Sequence, residues 1–143
     1  PVELEPAELL DYLANLVDRF GRDSGINARF VTDLQRMTLP RSVCFELVRI
    51  VQEGLVNIRK HSVARNVLVR MGRRDGWWAL EIDDDGSGFP FEGRMSHEDL
   101  DLGRRGPLII KERVRAIGGR MSIDSTPGKG ARLEILIPQE SGG

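Results

Sequence analysis

Apolar side chains recur every three or four residues in three segments of the 143-residue chain. These segments are residues 5–20, 40–62 and 107–117, and the spacing places the apolar side chains of each on one face of a helix. The first helix is expected to end near the glycines of residues 21–25. Pro107 is expected at the first position of the third helix, where its missing amide hydrogen costs no hydrogen bond.

Alternating apolar and polar positions predict five strands. One short strand lies in residues 26–34. NVLVRMGR and WWALEID form a hairpin around Arg74-Asp75-Gly76, where Asp-Gly favours a tight turn. RMSIDS and GARLEILIP form a last hairpin around residues 127–130.

The order helix, strand, helix, hairpin, loop, helix, hairpin predicts an α/β (α+β) fold of the two-layer sandwich type. One mixed, mainly antiparallel sheet would carry its helices on one face. A doubly wound nucleotide fold is excluded, because strands and helices do not alternate and no G-x-x-x-x-G-K-[ST] loop occurs.

Residues 89–105 contain glycines, a proline and the acidic stretch HEDLD, with little periodicity. They predict a mobile loop of about 17 residues, a length that usually indicates function or disorder. The whole chain, residues 1–143, is expected to form a single domain, with its core in residues 5–138 and a tail at residues 139–143.

Composition narrows the possible partners and the compartment. The chain is 40% hydrophobic and 30% charged with a formal net charge of −1, which suits one core and offers no basic stripe for nucleic acid. Cys44 is the only cysteine, which excludes an internal disulfide and fits a reducing, cytoplasmic setting.

No segment reaches the roughly 18 apolar residues of a membrane span. We expect a monomeric fragment without direct membrane contact. The missing initiator Met indicates a longer parent protein, which could itself be membrane-anchored.

Polar residues share one face of the second predicted helix. Glu53, Asn57, Lys60 and His61 follow one another at steps of four, three and one. A carboxylate, an amide oxygen and an ammonium on one face suit a triphosphate with Mg²⁺. The spacing equally fits a solvated helix surface with an i,i+4 pair, and both interpretations remain open.

The stretch EIDDDGSGF places three carboxylates at the end of a strand. Strand alternation puts Asp84 on the same side as Leu80 and Ile82, and turns Asp83 and Asp85 away. An inward carboxylate needs hydrogen-bond donors, and the amino group of adenine is a suitable one. The alternative is an acidic turn that ends the strand.

Glycines follow this carboxylate and precede the third helix. Gly86 and Gly88 remove side chains where a flat base or a phosphate could approach the backbone. Gly106 precedes Pro107, so the free amides of the third helix follow a glycine, an arrangement that binds phosphate. These signals converge on a nucleotide.

At this point the chain resembles the ATP-binding catalytic domain of bacterial sensor histidine kinases, in the superfamily that includes gyrase B, the Hsp90 chaperones and MutL. LVRIVQEGLVNIRKHS resembles the N box, DDGSG the first glycine box, GPLIIKERVRAIGG the second, and STPGKGARLEILIP the closing hairpin. The sequences of these motifs are most similar to those of the subfamily that includes the nitrate sensors and the thermosensor DesK. The resemblance covers residues 9–138 and implies a Bergerat-type ATP-binding fold.

The resemblance also implies roles for individual residues, with ATP and Mg²⁺ as cofactors. Asn57 would bind Mg²⁺, and Glu53 would join the polar network near the γ-phosphate, with a possible Mg²⁺ contact through water. These two would be the catalytic residues. Lys60 would contact phosphate, Asp84 would accept from the adenine amino group, and residues 89–105 would form the ATP lid. The other nucleotide-binding positions would be His61, Gly86, Gly88, Phe89, Arg104, Arg105 and Gly106.

Two positions depart from the family pattern. The second glycine box reads Gly103-Arg104-Arg105-Gly106-Pro107, and the usual G-T pair of the closing hairpin is Gly130-Ala131, which removes a hydroxyl near the adenine. We expect weaker nucleotide affinity from these changes. Arg104 and Arg105 could bind the β- or γ-phosphate, or pair with the lid carboxylates Glu98, Asp99 or Asp101.

The implied activity is that of a protein histidine kinase in a two-component phosphorelay. The chain would present the γ-phosphate of ATP to a histidine in a dimerisation domain elsewhere in the full-length protein, for signalling to a response regulator. Neither His61 nor His97 has an E-L-H-D-like context, so the chain lacks its own phosphoacceptor. A serine kinase of the anti-sigma-factor type and a non-catalytic nucleotide sensor remain as alternatives.

Overall fold

The computed structural model of the chain describes residues 5–103 and 107–139. A short 3-10 turn at Pro6–Glu8 leads into the first helix. The elements that follow are α1 (Leu9–Ser24), β1 (Asn27–Thr32), α2 (Arg41–His61), β2 (Asn66–Arg74), β3 (Trp77–Asp84), β4 (Gly93–Ser96), α3 (His97–Leu102), α4 (Leu108–Ala116), β5 (Arg120–Thr126) and β6 (Gly130–Pro138).

The strands form one sheet in the order β1-β2-β3-β6-β5-β4. β1 runs parallel to β2, and every other neighbouring pair is antiparallel. The tight turn between β2 and β3 has φ values of 49° at Asp75 and 81° at Gly76, as the Asp-Gly sequence predicted. The predicted mixed, mainly antiparallel sheet is confirmed.

One face of the sheet is an apolar surface that the helices cover. Val69, Ile82, Leu133 and Ile123 pair in register across four neighbouring strands, and all four are buried. Apolar side chains of α1, α2 and α4 belong to the same buried cluster. The helices therefore lie on one side of the sheet, which confirms the two-layer sandwich.

The opposite face of the sheet is polar and is covered by its own arginine side chains. Glu81 and Glu134 pair in register on β3 and β6, yet they are only 8% and 5% exposed. Arg74 contacts both carboxylates, at 3.0 Å to Glu81 and at short range to Glu134. Arg70 and Arg94 add further ion pairs to these two carboxylates. Arginine stems thus shield this face from solvent while their charged groups pair.

The prediction of an irregular loop over residues 89–105 was wrong, because this segment contains β4 and α3. β4 pairs with β5 at the sheet edge. α3 begins with a capping box, in which the Asp99 amide donates to the Ser96 hydroxyl (3.2 Å) and the Ser96 amide donates to the Asp99 carboxylate (3.1 Å). Leu100 anchors α3 in the core. Both elements are too short to show a periodic pattern in the sequence.

The predicted third helix is α4 of the structure, and it begins at Leu108, one residue later than predicted. Pro107 is the N-cap of α4, not its first helical residue, and its ψ of 107° is extended. Its carbonyl accepts a hydrogen bond from the Lys111 amide (3.0 Å), which starts the helical hydrogen-bond series. Within the described residues, no helix is long and apolar enough to cross a membrane.

Candidate functional site

A pocket of about 390 Å³ opens between α2, α4 and the inner face of the sheet. Its size is within the range of small-molecule sites, about 300–1,000 Å³. Most of the lining is apolar, with a few polar groups. The lining residues are Gly54, Asn57, Ile58, His61, Ser62, Ile82, Asp84, Gly88, Phe89, Pro90, Pro107, Ile110, Ala131 and Leu133.

The structure divides the polar residues predicted on α2 into two groups. Asn57 and His61, which are one helical turn apart, line the pocket, whereas Glu53 and Lys60 do not. Gly54 brings this part of the helix close to β3, because a Cβ at Gly54 would lie 2.9 Å from the Ile82 side chain. The helix therefore presents an amide and an imidazole to the pocket wall.

Asp84 supplies the carboxylate of the pocket. It accepts a hydrogen bond from the Gly86 amide at 2.8 Å. Burial raises the pKa of the Asp84 carboxyl above its ordinary value. The Gly86 amide and the Ser62 hydroxyl oppose this rise in pKa, while the charges of Asp85 and Asp83 add to it. An ionised Asp84 is therefore under-solvated and can accept a further donor.

The two neighbouring aspartates face elsewhere, as strand alternation predicted. Asp83 accepts from the Arg132 guanidinium at 2.8 Å on the outer face of the sheet. Asp85 accepts from the backbone amides of Arg65 (2.8 Å) and Asn66 (2.9 Å) and from the Asn66 side chain (2.8 Å). Hydrogen bonds, above all from the Asn66 side chain, lower the pKa of Asp85. The Asp85 carboxylate is therefore used in hydrogen bonds within the protein, and Asp85 does not line this pocket.

The glycines after Asp84 are required by contacts within the protein. A Cβ at Gly86 would lie 2.2 Å from the Ser62 carbonyl oxygen. Gly88 has a φ of +74°, and its Cβ would lie 2.9 Å from the carbonyl oxygens of Gly130 and Thr126. We predicted that these glycines make room for a base or phosphate, but protein backbone occupies this space. Gly88 lines the pocket and Gly86 does not.

The loop between β3 and β4 is hydrogen-bonded on both sides. On one side, the Ser87 amide donates to the Ser62 carbonyl (2.5 Å) and the Ser87 hydroxyl donates to the His61 carbonyl (3.1 Å). On the other side, the Gly128 amide in the β5–β6 turn donates to the Ser87 carbonyl (2.7 Å). These bonds hold Ser87 between the end of α2 and the β5–β6 turn, two residues before Phe89, which lines the pocket.

Sequence reasoning missed most of the apolar wall. Ile58, Ile82, Ile110 and Leu133 all line the pocket, and all four also belong to the buried core cluster. A pocket built into the core is not distinguishable from the core by periodicity. Ala131, which departs from the family pattern, lies in the lining and pairs in register with Asp84.

Three predicted residues, Arg104, Arg105 and Gly106, lie outside the described residues. Two of the carboxylates offered as partners for these arginines have contacts of their own. Asp99 belongs to the α3 capping box. Asp101 pairs with the nearly buried Lys111 of α4 at 3.4 Å and with Arg115.

The polar lining fits a magnesium ion only together with a phosphate-bearing ligand. In the part of the chain that the structure describes, no group of three or more His, Cys, Asp or Glu side chains could hold a metal ion. Mg²⁺ takes oxygen ligands, keeps several waters and is commonly completed by substrate phosphates. The Asn57 amide oxygen on the pocket wall is suitable as one such ligand.

Comparisons with known proteins agree on one family. The profile for the histidine kinase-, DNA gyrase B- and HSP90-like ATPases matches residues 45–141. An uncharacterized sensor-like histidine kinase from Chloroflexus aurantiacus is 36% identical over 144 aligned positions, which cover 99% of this chain and 24% of that protein. The chain spans between 18% and 36% of the length of the first curated relatives it matches.

Solved structures share the fold. The histidine kinase domain of the blue-light-activated histidine kinase from Erythrobacter litoralis EL346 matches with a TM-score of 0.71 at 21% identity, covering 95% of this chain and 65% of that one. Full-length ShkA in complex with AMPPNP matches with a TM-score of 0.68 at 22% identity, covering 96% of this chain and 30% of that one. A Bergerat-type sandwich is thus the architecture of this chain.

The opposite pKa shifts of Asp84 and Asp85 predict opposite effects of mutation on stability. Because the folded-state pKa of Asp84 is raised, its ionisation lowers stability as pH rises through that pKa. Asp84→Asn removes the charge and keeps an oxygen for the Gly86 amide, so it should raise the melting temperature at neutral pH.

The folded-state pKa of Asp85 is lowered, so the contribution of its ionised carboxylate to stability is present at neutral pH and is lost on acidification. Asp85→Asn should lower the melting temperature.

Thermal unfolding of the nucleotide-free variants between pH 4 and pH 8 measures both effects. Asp83→Asn serves as the control, since an ion pair with a solvent-exposed arginine contributes little, at most about 1 kcal/mol. A lower melting temperature for Asp84→Asn than for the wild type at neutral pH would show that the ionised Asp84 is not destabilising.

Proposed function

The chain belongs to the histidine kinase-, DNA gyrase B- and HSP90-like ATPase family, and we propose that it is the ATP-binding catalytic domain of a sensor histidine kinase. The observation that carries this proposal is the half-buried carboxylate of Asp84 on the wall of a mainly apolar pocket that also contains Asn57. This combination suits a flat base with an amino group, attached to phosphates that bring Mg²⁺.

The base would lie between the apolar walls of the pocket. Ile82 and Leu133 come from the sheet, and Ile110 comes from α4. The adenine amino group would donate to the Asp84 carboxylate, which is short of donors. Guanine presents a carbonyl oxygen at the corresponding position, and an ionised carboxylate repels it. The pocket therefore favours adenine over guanine.

The phosphates would extend toward the polar end of α2. Asn57 would offer an oxygen to Mg²⁺, and Glu53, one turn earlier on the helix, would contact water bound to the ion. Bound Mg²⁺ would offset the charge of the β- and γ-phosphates. Lys60 and His61, at the end of the same helix, would supply further positive charge or hydrogen bonds. Residues 89–105, with β4 and α3, would form the lid over these groups.

The phosphoryl acceptor would be a histidine in a dimerisation domain of the same full-length protein. The γ-phosphoryl group would pass to an imidazole nitrogen, and ADP would leave with the electrons of the broken P–O bond. A response regulator would receive the phosphoryl group in a later step. The support for this is that the relatives are sensor histidine kinases and are several times longer than this chain.

Nucleotide binding should depend on Asp84 and not on Asp83. Asp84→Asn should weaken Mg-ATP binding by on the order of 1.5–3 kcal/mol, the usual contribution of a hydrogen bond to a charged group. Asp83→Asn is the matched control, since its carboxylate pairs with Arg132 on the outer face. Titration calorimetry gives both affinities, and equal losses in the two variants would place the base elsewhere.

The Mg²⁺ requirement for nucleotide binding should depend on Asn57. Asn57→Ala should bind ATP with the same affinity in Mg²⁺ and in EDTA, whereas the wild type should bind more tightly with Mg²⁺. Gln52→Ala, on the same helix but away from the pocket lining, controls for general effects on α2. An Asn57→Ala variant whose Mg²⁺ dependence matches the wild type would refute the metal assignment.

Phosphoryl transfer distinguishes a histidine kinase from the alternatives. The chain would be incubated with γ-labelled ATP and a histidine-bearing dimerisation domain from a long relative, or with an anti-anti-sigma protein. Acid-labile label on the helical domain is the expected result. Acid-stable label on the anti-anti-sigma protein would indicate a serine kinase. ATP binding without any transfer would favour a nucleotide sensor, an outcome consistent with Ala131 in the pocket wall.

A further inference from the structure

Ser125 makes two hydrogen bonds to a single residue of the pocket wall. It is the penultimate residue of β5 and is 1% exposed. Its hydroxyl accepts from the Phe89 amide at 2.8 Å and donates to the Phe89 carbonyl at 3.3 Å. Ser125 does not itself line the pocket, whereas Phe89 does. Phe89 is therefore the pocket residue to which the Ser125 hydroxyl is hydrogen-bonded.

The backbone conformation of Gly88, the residue before Phe89, explains why hydrogen bonds to the Phe89 backbone are needed. Gly88 has a φ of +74°, a region that glycine enters and leaves at little cost. Backbone rotation at a glycine would swing the next side chain. Because the Ser125 hydroxyl binds both backbone polar groups of Phe89, it fixes the direction in which this ring leaves the chain.

The Phe89 ring is also supported on one side. It stacks on Phe91, with ring centroids 5.6 Å apart and an interplanar angle of 23°. Phe91 is buried in the core cluster, so it provides a fixed base for the stack. The ring is thus held by its backbone at one end and by an aromatic neighbour at the other, which suits a wall for a flat ligand.

We propose that Ser125 is a positioning residue for the nucleotide base. Its hydroxyl holds the backbone of Phe89 so that the ring forms a fixed wall against which the purine packs. This inference rests on the proposed function, since it concerns the wall of the same pocket. Rigid preorganisation of this wall would lower the entropic cost of binding.

A double-mutant cycle tests the coupling between the two residues. Mg-ATP affinity would be measured by titration calorimetry for the wild type, Ser125→Ala, Phe89→Leu and the double variant. Ser125→Ala should weaken binding about tenfold in the wild-type background. A loss of this size is expected when the hydrogen bonds between the Ser125 hydroxyl and the Phe89 backbone are removed. In the Phe89→Leu background the same substitution should weaken binding less than twofold, since there is no ring left to position.

Ser122→Ala provides the matched control, because Ser122 is a buried serine on the same strand whose side chain lies on the outer face of the sheet. It should leave ATP affinity unchanged. Equal loss of affinity from Ser125→Ala in both Phe89 backgrounds, or no loss in either, would overturn the proposal. The melting temperature of each nucleotide-free variant separates a local effect from a loss of folded protein.

Ser125→Cys takes the place of Ser125→Ala if the alanine variant is not folded at the assay temperature. It keeps a side chain of similar shape with a weaker donor, so the coupling to Phe89 should be smaller but present. A wild-type chain that does not bind ATP would refute the proposed function itself. A wild type that binds ATP, with Ser125 and Phe89 acting independently, would refute this inference alone.

Discussion

The pocket depends on a close approach of three chain segments that only glycine permits. At Gly86 the end of β3 meets the last turn of α2, with no room for a Cβ beside the Ser62 carbonyl. Gly130, with a φ of +120°, lies so close that a Cβ would be 2.1 Å from the Asp84 carbonyl oxygen. The backbones at the end of α2, at the end of β3 and in the β5–β6 turn are therefore in direct contact. The half-buried carboxylate of Asp84 lies at this junction, and its pKa is raised chiefly by that burial.

Much of the fold could be predicted from the sequence because its signals are local and repeated. The apolar periodicity of α1 and α2 and the Asp75-Gly76 turn each specify their own element. β4 and α3 could not be found this way, since four and six residues are too few to show a period. One signal for α3 was present in the sequence, since Ser96 and Asp99 have the spacing of a capping box.

The candidate site was predicted less completely than the fold. Strand alternation was enough to select Asp84 among three adjacent aspartates, because the register fixes which side chains share a face. The glycines were assigned to a ligand because their sequence positions do not reveal that the Ser62 and Thr126 carbonyls come so close. Contacts between distant segments, such as that of Ser125 with Phe89, depend on tertiary packing. No periodicity or motif in a single sequence reports them.

The arginine cover on the outer face of the sheet constrains how this sequence can change during evolution. Arg74 contacts two carboxylates on different strands at once, which suits the planar, branched guanidinium and not a single ammonium. Exchange of Arg74 for lysine would conserve charge and still break the geometry. Arg132 uses one nitrogen for one carboxylate, so the same exchange is less restricted there. Substitution rates on this face should therefore follow the number of strands that each arginine joins, and not its exposure to solvent.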